Sequence, residues 1–589
     1  MKLFNFPGLA TLTTAALALS AGGCGSARGP NMERTSERSE RGVGPQPGQS
    51  ADLVFAGGDI WTMDAANPHV SALAVRAGKI VALGSDREIA AWIGPATRTV
   101  ALAGRSVTPG LIDAHCHLYG LGTDLENISV RDTADEAAAV ELVEKSSQRA
   151  AYAGGWLVGR GWDQNRWPGG AFPTKKSLDS IMSPGEISRV AIPVLLRRVD
   201  GHAVWVNSAA LRIAGITKAT PEVPGGKIVR DSNGEPTGVF VDNAVDLIDV
   251  HLATATAAMR RARILNAAKV AVSLGLTGVH EMGIDDETAS VYRELASAGQ
   301  LPLHVHAFLA GNPKTAGQLA KQPPVAAQGR FSMPGVKFFA DGALGSRGAR
   351  LYNEYDDDRG NVGLWVTEPA DLTRAVNSAV DGGWEVAVHA IGDAGVGATL
   401  DAFAAARASH PGNKTKLRVE HAQVVAPADI ERMVATQAIA SMQPTHATSD
   451  MPWAEKRVGA ARIKGAYAWR TMLDHDIAFA AGSDFPVEEP SPLLGIYAAV
   501  TRQDAAGKPA GGWYGGQKLT IDEAIAGFTV GAAFAAGEAD LRGVLAIGRP
   551  ADVTVYDRRL VATQELLKTK IAMTMVDGDV VYDMIGTAP

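Results

Sequence analysis

Eight short apolar or mixed runs, each ending in polar or ionisable residues, recur along the chain with Ala-rich helical stretches interleaved. They are VTPGLIDAHCH (107–117), IPVLLRRVDGH (192–202), LTGVHEMG (276–283), GVKFFADG (335–342), EVAVHAIGD (385–393), KLRVEHAQ (416–423), AIASMQPTH (438–446) and IAFAAGSD (477–484). Alternating strand and helix predicts a parallel sheet, and eight such units predict closure into a (β/α)8 TIM-like barrel of the α/β class. Active sites of such barrels lie at the C-terminal ends of the strands. His and Asp gather at those ends here.

The two ends of the chain carry a different pattern. ADLVFAGGDIWTMD and ALAVRAGKIVALG alternate apolar and polar residues with Gly breaks, and RPADVTVYDRRL and TMVDGDVVYD answer them with a hairpin-like turn at Asp577-Gly578. A small β-sandwich built from 51–108 and 540–589 is expected, with the barrel over 109–539. The stretches after the first and second runs are too long for simple loops and predict a cap at about 118–260.

With 589 residues, 46% of them hydrophobic, the chain can bury a large core. The net charge of -7 comes without a basic stripe, so nucleic acid is not an expected partner. Cys24 and Cys116 are the only cysteines, which excludes a disulfide framework and a thiolate zinc site. At the start, Lys2 precedes a weakly apolar run from Leu9 to Ala21, too short for a stable membrane span. It reads as an export signal over 1–23. Ala21-Gly22-Gly23-Cys24 resembles a lipobox, with Cys24 the lipidated residue and 24–50 a polar tether that cannot offset its ordering entropy. The expected location is periplasmic or cell-surface, with the membrane reached only through the lipid.

His115 and His117 flank Cys116 at the end of an apolar run, and a strand period of two puts both imidazoles on one face and the thiol on the other. His389, His421 and Asp484 also stand at run ends, so five metal-type residues occupy four strand ends. Cysteine being excluded, a divalent metal would be held by imidazole and carboxylate.

The motifs resemble the amidohydrolase superfamily, in the branch typified by N-substituted formamide deformylase. The resemblance runs from about Asp52 to Tyr582 and rests on the entry LxGxxVxPGLIDAHCH with Leu102, Gly104, Pro109, Gly110 and Asp113. It also rests on VDGHAVWVNSAAL (199–211), VKFFADGALGSRGA (336–349), QPTH through GSDFPVEEPSPLLGI (443–496), LTIDEAI and GVLAIGRPADVTVYD. The resemblance implies two zinc ions held by His115, His117, a carboxylated Lys337, His389, His421 and Asp484. It implies hydrolysis of a non-peptide C–N bond, amide or formamide-like, in a small molecule. A metal lowers the pKa of water and polarises a carbonyl, and Asp484 would carry the water proton to the leaving amine.

Trp162, Asp163, Arg198, Asp200, His202, Asp341 and Arg347 are candidates for the substrate pocket, an aromatic and charged mixture suited to an amide with an apolar substituent. Asp393, Glu420 and His446 are candidates for orienting ligands. His280, His304 and His306 are read as structural. The alternatives are a mononuclear metal-dependent deaminase and a non-catalytic metal-containing binding lipoprotein, and the sequence leaves room for a homo-oligomer.

Overall fold

The computed structural model describes residues 49–146, 148, 155–181 and 191–585. The expected export signal, Cys24 and nearly all of the tether lie outside the described residues. Among the described residues no helix is long and apolar enough to cross a membrane.

Eight strands build the central sheet: β1 (Leu111–Cys116), β2 (Leu276–Ile284), β3 (His304–Ala310), β4 (Phe331–Phe339), β5 (Glu385–Ala390), β6 (Leu417–His421), β7 (Ile439–Met442) and β8 (Phe479–Ala481). Each pairs in parallel with the next. β1, β6, β7 and β8 are buried along their whole length, as strands with side chains filling the barrel on one face and packing on helices from the other must be. The helix Pro369–Asp381 shows the complementary pattern. Pro369 starts it without sacrificing a hydrogen bond, and Leu372, Ala375, Val376, Ala379 and Val380 form one buried stripe at helical spacing.

The sheet path runs from β1 to β8 with no ladder joining its ends among the described residues. Hydrogen bonds outside any ladder close that seam instead. The Ser483 hydroxyl donates to Asp113 Oδ2 at 2.6 Å, and Asp484 N–H donates to the His115 carbonyl at 2.8 Å. Gly482 allows the approach, since a Cβ there would stand 2.5 Å from His115 N.

Seven of the eight expected strands are barrel strands, and one is not. IPVLLRRVDGH supplies Val194–Arg198 of a separate six-stranded cap sheet, and the missing barrel strand is HVHAFLA, β3. The VDGH segment explains the difference. With Gly201 at φ +78° it makes a tight turn, and the chain returns antiparallel as Ala203–Val206, whereas a parallel barrel strand needs a helical crossover. His304 and His306 on β3 have structural partners, Asp577 and Glu385, both at 2.9 Å.

Both chain ends meet in the sandwich. One sheet orders Lys79–Gly84, Ala72–Arg76, Leu53–Ala56 and Arg98–Ala101. The other joins Asp59–Trp61, His69–Val70 and Ser106–Pro109 to the C-terminal strands Val553–Tyr556, Ile571–Val576 and Asp579–Asp583. Alternation is exact in the first strand, where Leu53 and Phe55 enter the inter-sheet core with Val107, Val553 and Met573 while Val54 packs outward against Ile89 and Trp92. Asp577 and Gly578, both at positive φ, form the hairpin turn between the last two strands.

Candidate metal centre

At the C-terminal mouth of the barrel, β1, β4, β5, β6 and the segment after β8 bring His115, His117, Lys337, His389, His421 and Asp484 to the wall of one cavity of about 590 Å³. His115 Nε2 and His117 Nε2 lie 3.5 and 3.3 Å from Asp484 Oδ1. The His115 and His421 rings are 4.7 Å apart, and those of His389 and His421 4.6 Å. Donor atoms of His115, His421 and Asp484 all fall within 4.8 Å of one another. His421 and Asp484 take left-handed backbone, φ +73° and +62°. Such conformations cost about 1–3 kcal/mol each and persist where surrounding structure over-determines them.

The hydrogen bonds behind these rings fix which nitrogen faces the centre. His115 Nδ1 meets Glu420 Oε2 at 2.5 Å, His117 Nδ1 meets the Met282 carbonyl at 2.9 Å, and His421 Nδ1 meets Gln443 Oε1 at 2.8 Å. Each partner is an acceptor, so each Nδ1 carries the proton and each Nε2 presents a lone pair inward. His389 is anchored by the other nitrogen, Nε2 donating to the Gly342 carbonyl at 3.3 Å, which leaves Nδ1 free.

Electrostatics favour the same protonation states. Burial, with the Lys337 charge nearby, lowers His115 to about 4, and burial pushes His389 and His421 well below the usual imidazole range. Burial opposes the charge on Asp484, but the surrounding imidazoles of His115, His117 and His421 outweigh it and hold the carboxyl well below its ordinary range. Neutral imidazoles beside an ionised carboxylate are the donor set of a divalent metal. His115 Nε2 is buried without a hydrogen-bond partner, an arrangement that costs free energy unless a ligand completes it.

Lys337 is buried, 1% exposed, with its Nζ 5.2 Å from the Phe339 ring centroid. Among the described residues it makes no ion pair. Burial lowers its ammonium to about 8.

Of the three residues expected to orient ligands, Glu420 is hydrogen-bonded to a histidine of the cluster. Its carboxylate is gripped by Arg418 Nε at 2.7 Å, and Arg418 also donates to Ser441 Oγ at 3.0 Å and to His280 Nδ1 at 2.9 Å. Sequence reasoning missed Arg418, although LRVEH places it two residues from Glu420 and therefore on the same strand face. Glu420→Gln should keep the fold while weakening metal binding by about 10- to 100-fold, because the amide no longer draws the Nδ1 proton of His115 as strongly. Competition against a chromogenic chelator measures this, and unchanged affinity would contradict the role. His446 reaches the centre directly, Nε2 standing 3.6 Å from Asp484 Oδ2. Asp393 does not. It accepts from the Tyr352 and Ala394 N–H groups, both at 2.9 Å, and so braces the start of a helix.

The substrate-pocket candidates divide. Asp163, Arg198, Asp200 and His202 line a second cavity of about 350 Å³, which shares Asp200, His202, His389, His421 and Asp484 with the first. Arg198 is neutralised there by Asp163, at 2.5 Å, and by Asp200. His202 donates toward Asp242 Oδ1 at 2.7 Å, and its ring lies 4.9 Å from that of His389. Trp162, Asp341 and Arg347 line neither cavity. Trp162 is fully buried in the cap core against Trp167, Phe172 and Trp205, its indole N–H satisfied by the Leu196 carbonyl at 2.7 Å. Asp341 accepts from the N–H groups of Ile391, Gly392 and Arg350 and so pins the loop after β5. Arg347 pairs with Asp357 at 3.0 Å. Trp162→Ala should therefore cost about 3–5 kcal/mol of stability, read as a lower Tm, where a substrate contact would move KM alone.

Residues 98–582 match the amidohydrolase family model, which is most of the chain. The chain belongs to that family. Within it, this amidohydrolase is 33% identical to the putative amidohydrolase YtcJ of Bacillus subtilis over 90% of this chain and 99% of that one. It is 28% identical to N-substituted formamide deformylase of Arthrobacter pascens over 92% and 100%. A solved structure of an uncharacterized metal-dependent hydrolase from Pyrococcus furiosus superposes with a TM-score of 0.65 at 28% identity, over 86% of this chain and 99% of that one. The protein is thus a metal-dependent hydrolase.

Proposed function

We propose that this amidohydrolase cleaves a non-peptide C–N bond, amide or formamide-like, in a small molecule, with two zinc ions held by His115, His117, carboxylated Lys337, His389, His421 and Asp484. The observation that carries the reading is Lys337 itself. It is buried in the wall of the cavity that the histidines share and has no ion-pair partner among the described residues. A buried lysine that no carboxylate contacts directly is costly, and reaction of its neutral amine with carbon dioxide would turn it into an anionic oxygen donor. The similarity to N-substituted formamide deformylase supports the choice of bond.

When bound, the metal ions would lower the pKa of a water molecule towards neutrality and polarise the carbonyl. The chain's own residues do the rest. The anchored imidazoles hold their lone pairs inward before any ligand arrives, so no reorientation is required. Asp484, kept ionised among three histidines, accepts a proton from the attacking water and returns it to the departing nitrogen. The two cavities meet at Asp484, His389 and His421, leaving room for the groups on both sides of the scissile bond.

A panel of formamides, acetanilides and aminated heterocycles, offered to purified zinc-loaded protein, tests the reading. Release of free amine from the amides is expected. Ammonia from the heterocycles, with the amides untouched, would favour a mononuclear deaminase. Export and lipidation at Cys24 belong to the same proposal, and Cys24→Ser should move the protein from the membrane to the soluble fraction because the tether has nothing apolar to hold it.

A further inference from the structure

Three arginines come together on adjacent strands of the cap, and two of them are spoken for. Arg197 is held by both oxygens of Asp249 at 2.8 Å, and Arg198 by Asp163 and Asp200. Arg160, in the strand Leu157–Trp162 alongside, has no ion-pair partner among the described residues. Its Nη2 donates to the Val199 carbonyl at 2.9 Å, and its Nε is buried with no hydrogen-bond partner. It lines the larger cavity together with His115, His117, Lys337 and His202.

The backbone is bent to put it there. Pairing with Val194–Arg198 shifts register between Arg160 and Trp162, and Gly161 sits at φ +118°, where a Cβ would stand 2.8 Å from Arg131 N. Regular alternation would send residues 160 and 162 to one face. The bulge separates them, so Trp162 enters the cap core while Arg160 faces the cavity. Of the cavity's carboxylates, Asp249, Asp242 and Asp200 are occupied by Arg197, His202 and Arg198, Asp285 by Arg260, Glu281 by the Leu118 and Tyr119 N–H groups and Asp484 by the histidines, and Asp246 is exposed. None comes within ion-pair distance of Arg160.

We propose that Arg160 forms an anion subsite in this cavity, and that the amide taken by the enzyme carries a carboxylate which the guanidinium receives. A planar fork of N–H donors matches a carboxylate, and a half-buried guanidinium with no ion-pair partner and a buried, unsatisfied Nε gains most from acquiring one. The substrate class rests on the amide-hydrolase reading above, whereas the subsite itself does not.

Calorimetry on chelator-treated, metal-free protein with benzoate and with benzamide tests the subsite. Wild-type protein should prefer benzoate, and Arg160→Gln should weaken benzoate binding by about 10- to 100-fold while leaving benzamide unchanged. Arg160→Lys, which keeps the charge, should retain part of the preference and guards against loss of fold in the Gln variant. Equal binding of the two probes by wild-type protein would overturn the proposal. With zinc-loaded enzyme, Arg160→Gln should raise KM for 4-formamidobenzoate and spare that for formanilide. If benzoate discrimination holds but neither formamide is cleaved, the subsite stands and the amide reading falls. If both are cleaved with KM unchanged by the substitution and no benzoate preference, the reverse is true.

Discussion

Asp484→Asn is expected to lower kcat by about 10²- to 10⁴-fold, the range for losing a positioned proton carrier. The amide has the shape of the carboxylate and still offers one oxygen, but it cannot take the water proton. The surroundings make this substitution informative. Four histidines approach the carboxylate within 4.0 Å, and the main chain at 484 is tied to the His115 carbonyl, so Asn has little freedom to move away. Metal analysis beside single-turnover kinetics separates the roles. Retained metal with lost turnover identifies the proton carrier, and joint loss identifies a ligand. Near-normal turnover would remove Asp484 from the reaction altogether.

Lys337→Ala should remove mainly one of two metal ions and cut kcat by roughly 10²-fold or more, since each metal supplies several kcal/mol of transition-state stabilisation. Partial activity should return when a short carboxylic acid such as propionate is added, because its carboxylate can fill the space left by the carbamate. Lys337→Arg should not respond, as the longer side chain fills that space with a fixed positive charge. The test is strong because Lys337 is buried in the cavity wall, on the strand that pairs with the β5 strand carrying His389. Two metal ions and near-normal turnover in the Ala variant would make it an ordinary structural lysine.

The sequence by itself determined most of the barrel and the residue types of the centre. Strand periodicity is local, so His115 and His117 could be placed on one face, and Cys116 on the other, from three consecutive letters. Cys116 is indeed buried in the outer core with Leu118 and Ile264. The pairing of the two chain ends was legible for the same reason, since each end carries its own alternating pattern and neither could bury it alone. The sequence did not separate IPVLLRR from HVHAFLA, because both are short apolar runs. Which of them joins the barrel depends on whether the chain returns by a tight turn or a helical crossover, and that is decided by what lies beside each run in space.

Tertiary structure alone decided which polar residues line the cavities. Arg160 and Trp162 stand two apart in one strand, yet one lines a cavity and the other is in the cap core, because the bulge at Gly161 breaks the alternation that would have put them on one face. As letters, Asp341 looks like a pocket carboxylate and Asp393 like a ligand-orienting one, but main-chain N–H groups claim both. Arg418 gains its importance from His280, Glu420 and Ser441, which sit on three different strands. A residue's type states what it can donate or accept. Which partner is within 3 Å is a property of the folded chain, since only folding brings residues hundreds of positions apart into contact and removes the water that would otherwise serve them.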